Sequence, residues 1–311
     1  MKSLVALLLL ASAPLAGQEV PESGPEAATV IDVGADRNER MTVQVDVDGR
    51  GPFAFLVDTG AERTSISAEL ADDLDLVLGR KARLHSMTEV SQIQTVVIPA
   101  LTVGGNKVRD INAPTLLRRN IGAEGILGID TLRKQRVSFD FARAQMTVSA
   151  SRKREEKWPE DTIVVTARNR VGHLVLVDAS VDGQKVWVII DTGAQTTVGN
   201  SVLRRKLAAK GRIGRTWPIE LQSVTGGRMA AEATLVKLIR LGGSDIHDMP
   251  VAFADVHPFK ALRLTDRPAL LLGMDALRLF ERVSVDFANR RVRLLPPERS
   301  ERGGTDYAAA D

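Results

Sequence analysis

Cysteine is absent from this chain of 311 residues, which excludes disulfides, thiol nucleophiles and Cys-held metals. Aromatic residues are scarce, at 4% with a single Tyr at position 307, so Val, Leu, Ile and Ala must fill any core. His85, His173, His247 and His257 stand alone without His-Glu-x-x-His spacing, and no metal site is expected. A Gly-x-Ser-x-Gly elbow and a phosphate-cradling Gly-Lys-Ser/Thr loop are both missing, and no cofactor is expected. The formal net charge is only +3, which gives no reason to expect nucleic acid as a partner. Basic clusters such as Arg152-Lys153-Arg154 and Arg204-Arg205-Lys206 read as solvated faces.

Long apolar runs are also lacking after the N-terminus. There, Lys2 precedes an apolar run from Leu4 to Ala13 and small residues at Ala16-Gly17, the order of a secretory signal peptide over 1–17. The run is too short to span a bilayer. Gln18 stands where a lipoprotein would need Cys, so no lipid anchor is expected. The expectation is a soluble periplasmic or secreted bacterial protein, with no stable membrane insertion after cleavage. Residues 18–28 read as a flexible lead-in, 151–160 as a charged linker and 298–311 as a disordered tail.

What the chain does contain is one unit twice. Phe53-Ala54-Phe55-Leu56-Val57-Asp58-Thr59-Gly60-Ala61 matches Val186-Trp187-Val188-Ile189-Ile190-Asp191-Thr192-Gly193-Ala194. Before each block, alternating apolar residues lead to an Asp-Gly pair, Asp48-Gly49 and Asp182-Gly183, a hairpin signal. Further on, Gly125-Ile126-Leu127-Gly128-Ile129-Asp130 matches Leu270-Leu271-Leu272-Gly273-Met274-Asp275, and Val137-Ser138-Phe139-Asp140-Phe141 matches Val283-Ser284-Val285-Asp286-Phe287. Four blocks recurring in one order mark an internal duplication. The repeats fall at 29–150 and 161–297. Helices are expected over Ser67 to Leu78, over Asn200 to Ala209, and after each glycine block.

An apolar strand ending in Asp-Thr-Gly-Ala, followed far downstream by an apolar pair and Gly, resembles the retropepsin-like aspartic proteases. Retroviral members carry one such unit and build their site across a homodimer, whereas the pepsin-like branch holds two lobes in one chain. The resemblance implies a mainly β fold of two closed barrel-like lobes, with both Asp-Thr-Gly loops meeting at their interface. It implies a monomer that hydrolyses an extended polypeptide substrate, using Asp58 and Asp191 as a dyad that shares one proton. Thr59 and Thr192 would exchange hydrogen bonds across the interface, Gly60 and Gly193 would permit a loop that a Cβ obstructs, and Gly128 and Gly273 would pack behind. Ala61 and Ala194 replace a hydroxyl residue found in many pepsin-like relatives, which implies a dyad titrating higher than theirs. Ser223-Val224-Thr225-Gly226-Gly227 stands where the family carries a flap. Its counterpart around Met87 and Thr88 has no glycine, and the flap Tyr of pepsin-like enzymes is missing, so the glycine-bearing flap is expected to close.

Other residues read as structural. Asp130 and Asp275 are expected to be helix N-caps, Asp140 and Asp286 turn or edge residues, and Gly104-Gly105 and Gly242-Gly243 turns. A catalytically silent module that clamps peptides on the same fold is the competing reading. Retention of both Asp residues favours the enzyme.

Overall fold

Residues 29–32, 34–35, 41–88, 90–151, 157–170 and 173–297 are described by the computed structural model. The expected leader, lead-in and tail, and residues 152–156 of the linker, lie outside the described residues. Among the described residues strand accounts for 52% and helix for 13%, so the fold is mainly β.

Each repeat carries an Asp-Gly turn ahead of its Asp-Thr-Gly loop. Asp48 and Gly49 both take left-handed φ, 51° and 78°, the backbone that a two-residue hairpin turn between right-twisted strands demands. They join strands Met41–Val47 and Arg50–Val57. Val43, Val45 and Val47 face inward while Gln44 and Asp46 face outward, following the twofold period of a half-buried strand. Asp182 and Gly183 repeat the turn in the second lobe, with φ of 45° and 76°.

In the first lobe six strands close into a ring. Met41–Val47, Arg50–Val57, Gly125–Leu127, Ser65–Ser67, Asn106–Leu116 and Thr95–Val103 pair in that order, and the last returns to the first through Asp46 with Thr102 and Val47 with Leu101. The second lobe corrects the expectation of two closed barrels, because its ring stays open. The strand that would close it is divided at Val177 and Asp178 into His173–Leu176 and Ala179–Val181. One piece pairs with Trp187–Ile190 and the other with Arg228–Leu241, so no single strand bridges both neighbours.

Two helices carry the side-chain caps expected of them. Ser67 Oγ accepts from Leu70 N at 3.0 Å and Asn200 Oδ1 from Leu203 N at 2.9 Å. The first helix, Ala68–Asp73, is shorter than its sequence pattern because Asp75 turns left-handed, with φ of 52°. Gly104-Gly105 and Gly242-Gly243 lie in hairpin turns between long strands.

A shared sheet joins the lobes. Its order is Thr29–Asp32, Gln145–Ala150, Gln135–Asp140, Arg282–Asp286, Arg291–Leu295 and Ile163–Arg170, three strands from each repeat. The central antiparallel pair is registered on Ser138 opposite Ser284, whose hydroxyls hydrogen bond at 2.9 Å. On either side Asp140 faces Arg282 at 3.7 Å and Asp286 faces Arg136 at 4.0 Å. Asp140 and Asp286 also accept backbone N–H groups three residues on, which makes them turn formers as expected. They are not edge residues, because both strands lie mid-sheet. One apolar cluster runs from Val43 in the first lobe to Leu294 in the second, filled mainly by Val, Leu and Ile.

Candidate active site

Strands Arg50–Val57 and Trp187–Ile190 are buried at their ends and deliver Asp58 and Asp191 to the lobe interface. Each Asp is anchored at its N–H, Asp58 to Leu127 O and Asp191 to Leu272 O, both at 3.1 Å. Each loop then folds onto its own carboxylate. Asp58 Oδ1 accepts from Gly60 N at 2.8 Å and Ala61 N at 3.0 Å, while Asp191 Oδ1 accepts from Gly193 N at 2.9 Å and Ala194 N at 3.1 Å.

The Thr pair ties the loops together. Thr59 Oγ1 donates to Ile190 O at 2.9 Å and accepts from Thr192 N at 3.1 Å. Thr192 Oγ1 donates to Val57 O at 2.7 Å and accepts from Thr59 N at 3.1 Å. All four bonds are buried, so losing either hydroxyl strands buried partners at about 1–3 kcal/mol each. Gly60 and Gly193 are required by space rather than by φ. A Cβ on Gly60 would strike the Asp191 carboxyl, and one on Gly193 the Asp58 carboxyl. Each carboxyl therefore sits over the opposite loop, facing its partner.

The two environments differ. Asp191 is buried and Asp58 half-buried. Burial, then the charge of Asp58 and a hydrogen bond with it, push the Asp191 carboxyl well above the usual carboxylate range, against the N–H groups of Gly193 and Ala194. The pair holds a proton at Asp191 more readily than an isolated carboxylate would.

Gly128 and Gly273 pack behind the loops, where a Cβ would meet the backbone of Arg63 or Thr196. Asp130 and Asp275 are not the N-caps expected of them. Gly128 and Gly273 take the cap position, and each Asp lies one residue inside its short helix. Asp130 Oδ1 instead accepts from both N and Oγ1 of Thr64, and Asp275 accepts both donors of Thr197. Thr64 and Thr197 in turn accept from Gly128 N and Gly273 N at 3.1 Å each. The sequence reading missed these two threonines. They stand six residues after each Asp of the dyad, a recurrence available for inspection.

Over the dyad lies a cavity of about 990 Å³ lined from both lobes. Two hairpins roof it. The second-lobe flap, Ser223 to Gly227, joins Thr216–Gln222 to Arg228–Leu241, with Gly226 at φ 87°. The first-lobe flap joins Ala82–His85 to Val90–Ile93 through Met87 and Thr88. It lies over the cleft although it lacks glycine, with Met87 among the lining residues. Thr88 Oγ1 donates to Ser223 Oγ at 3.1 Å and Thr225 Oγ1 to Ser86 Oγ at 3.2 Å. Each tip docks on the opposite lobe. Met87 packs against the second-lobe cluster around Phe259, and Val224 against the first-lobe cluster around Leu116 and Ile121. His257 N donates to Met87 O at 3.1 Å, and the rings of His85 and His257 meet at 2.7 Å between Nδ1 and Nε2.

His173, also missed from sequence, is buried beside the dyad with Nε2 at 3.9 Å from Glu62 Oε1. Burial lowers its pKa, opposed by the charges of Glu62 and Asp58. No group of three or more metal-ligating side chains occurs among the described residues.

Two family models match the chain in tandem. Residues 43–134 match the aspartyl protease of gag polyproteins, and residues 177–276 match a second aspartyl protease model. No curated protein matches the chain. Both matches span an Asp-Thr-Gly loop and the glycine block behind it, so the chain belongs to the retropepsin-like aspartic proteases, with two units in tandem.

Proposed function

We propose that the protein is an aspartic endopeptidase in which Asp58 and Asp191 activate one water molecule. The observation that carries this reading is that each carboxyl lies over the other's loop, at the floor of one cleft. Buried Asp191 holds the shared proton, and the more open Asp58 acts as base. Asp58 takes a proton from water as its oxygen adds to the peptide carbonyl, and Asp191 protonates the carbonyl oxygen. Asp58 then delivers its proton to the nitrogen as the C–N bond breaks, and Asp191 recovers a proton from a hydroxyl of the tetrahedral intermediate as its C=O re-forms. One chain supplies both carboxylates, so no second copy is needed. The expected leader over 1–17 would place its polypeptide substrates outside the cytoplasm.

Purified protein incubated with an unfolded polypeptide should cleave it internally and be blocked by pepstatin. Asp58→Asn and Asp191→Asn should each lower the rate by at least about 10²–10⁴-fold. Cleavage surviving either replacement would remove the dyad, and a stable peptide complex without cleavage would identify a clamp instead.

A further inference from the structure

The cleft carries more positive charge than an uncharged peptide needs. Arg63, Arg83, Arg119 and Lys260 line the cavity, and all four are exposed. Apart from the dyad, its carboxylates among the described residues are Glu62, beside His173, and Glu220, paired with Arg228 at 3.2 Å. None of the four cations makes an ion pair or side-chain hydrogen bond among the described residues. Glu69 feels the charge of Arg119, but its carboxylate accepts from Arg118 N at 2.9 Å.

Two of these cations hold corresponding places in the duplication. Arg119 lies on helix Arg118–Ile121, between strand Asn106–Leu116 and the first glycine block. Lys260 lies on helix His257–Ala261, between strand Ser244–Phe253 and the second. These helices also receive the flap tips. A Cβ on Gly226 would meet Asn120 of the first, and Met87 O accepts from His257 N of the second. A chain threaded between dyad and flaps thus passes a cation on the corresponding helix of each lobe. The flaps break the symmetry, since Arg83 on the first-lobe flap strand stands where the second flap carries the neutralised Glu220.

We infer that the enzyme selects extended peptides with acidic side chains on both sides of the scissile bond, read by Arg119 in the first lobe and Lys260 in the second. This rests on the endopeptidase reading. Cations presented without partners at a cleft wall attract carboxylates, raise the encounter rate and reject basic chains, and salt weakens all three effects.

The test compares internally quenched peptides that differ only by Glu or Gln on either side of one cleavable bond. The Glu peptide should show kcat/KM roughly tenfold higher at low salt, with the ratio shrinking as NaCl is raised. In Arg119→Gln/Lys260→Gln the Glu-over-Gln ratio should collapse towards one, and in Arg119→Glu/Lys260→Glu it should invert. Equal rates for the two peptides, or a preference that survives the double replacement, overturns the assignment while leaving the protease reading intact. Failure to cleave either peptide or an unfolded protein overturns both.

Discussion

Asp191 serves chemistry at a cost to the fold. Its pKa is raised by burial and by Asp58, so the folded state prefers it protonated. That contribution is fully present below the ordinary carboxylate value of 3.8 and is lost as pH rises through the folded value. Asp191→Asn, neutral at every pH, should therefore be more stable than the parent at pH 8 by about 1–3 kcal/mol while inactive. Denaturant melts at pH 4 and pH 8 measure this, and the gain should shrink at the lower pH. At this scale the sequence was largely readable, because Asp58, Thr59 and Gly60 recur at Asp191, Thr192 and Gly193, each after apolar residues and each followed by Ala. His173 was not, since its importance comes from burial beside Glu62, a residue 111 positions away in a chain whose His residues look isolated.

Besides its hydroxyl contacts with the second flap, the first-lobe flap is fastened to the helix His257–Ala261 by one backbone bond and one ring-to-ring bond, His85 to His257. The ring bond requires at least one neutral imidazole. Burial first, then the charges of His85 and Lys260, lower the His257 pKa, with Glu62 opposing. A lowered pKa means the neutral latch contributes fully above the ordinary value of 6.5 and is lost as pH falls through the lower folded value. Hydrogen exchange across residues 82–93 should accelerate about 3–10-fold on acidification through that window. His85→Ala should abolish the pH step, and a step persisting in that variant would place its origin elsewhere. Turn chemistry made the elements legible where it is local, as at Asp48-Gly49, Ser67 and Asn200. It failed at this flap, because what brings the hairpin over the cleft is Met87 docking on the second lobe. It also failed at Asp130 and Asp275, whose partners Thr64 and Thr197 are far away in sequence.

The duplication announced two lobes, yet not how they are joined. Val137 to Phe141 and Val283 to Phe287 were visible as a repeated block, but an alternating strand carries no label for its neighbour. The open second barrel was equally hidden, since Val177-Asp178 interrupts a pattern otherwise fit for one strand. At the joint, Arg136 and Asp140 lie two residues either side of Ser138, facing Asp286 and Arg282 two residues either side of Ser284. Each strand is therefore self-complementary: paired with a copy of itself about Ser138, Arg136 would again face Asp140. A fragment ending at Ser151 should sediment as a dimer about a true twofold axis, with two Asp58 residues at its centre, and the charge reversal Arg136→Asp should leave it monomeric. The single chain would then be read as a tethered homodimer, free to diverge in its two halves because their stoichiometry is fixed by covalent linkage.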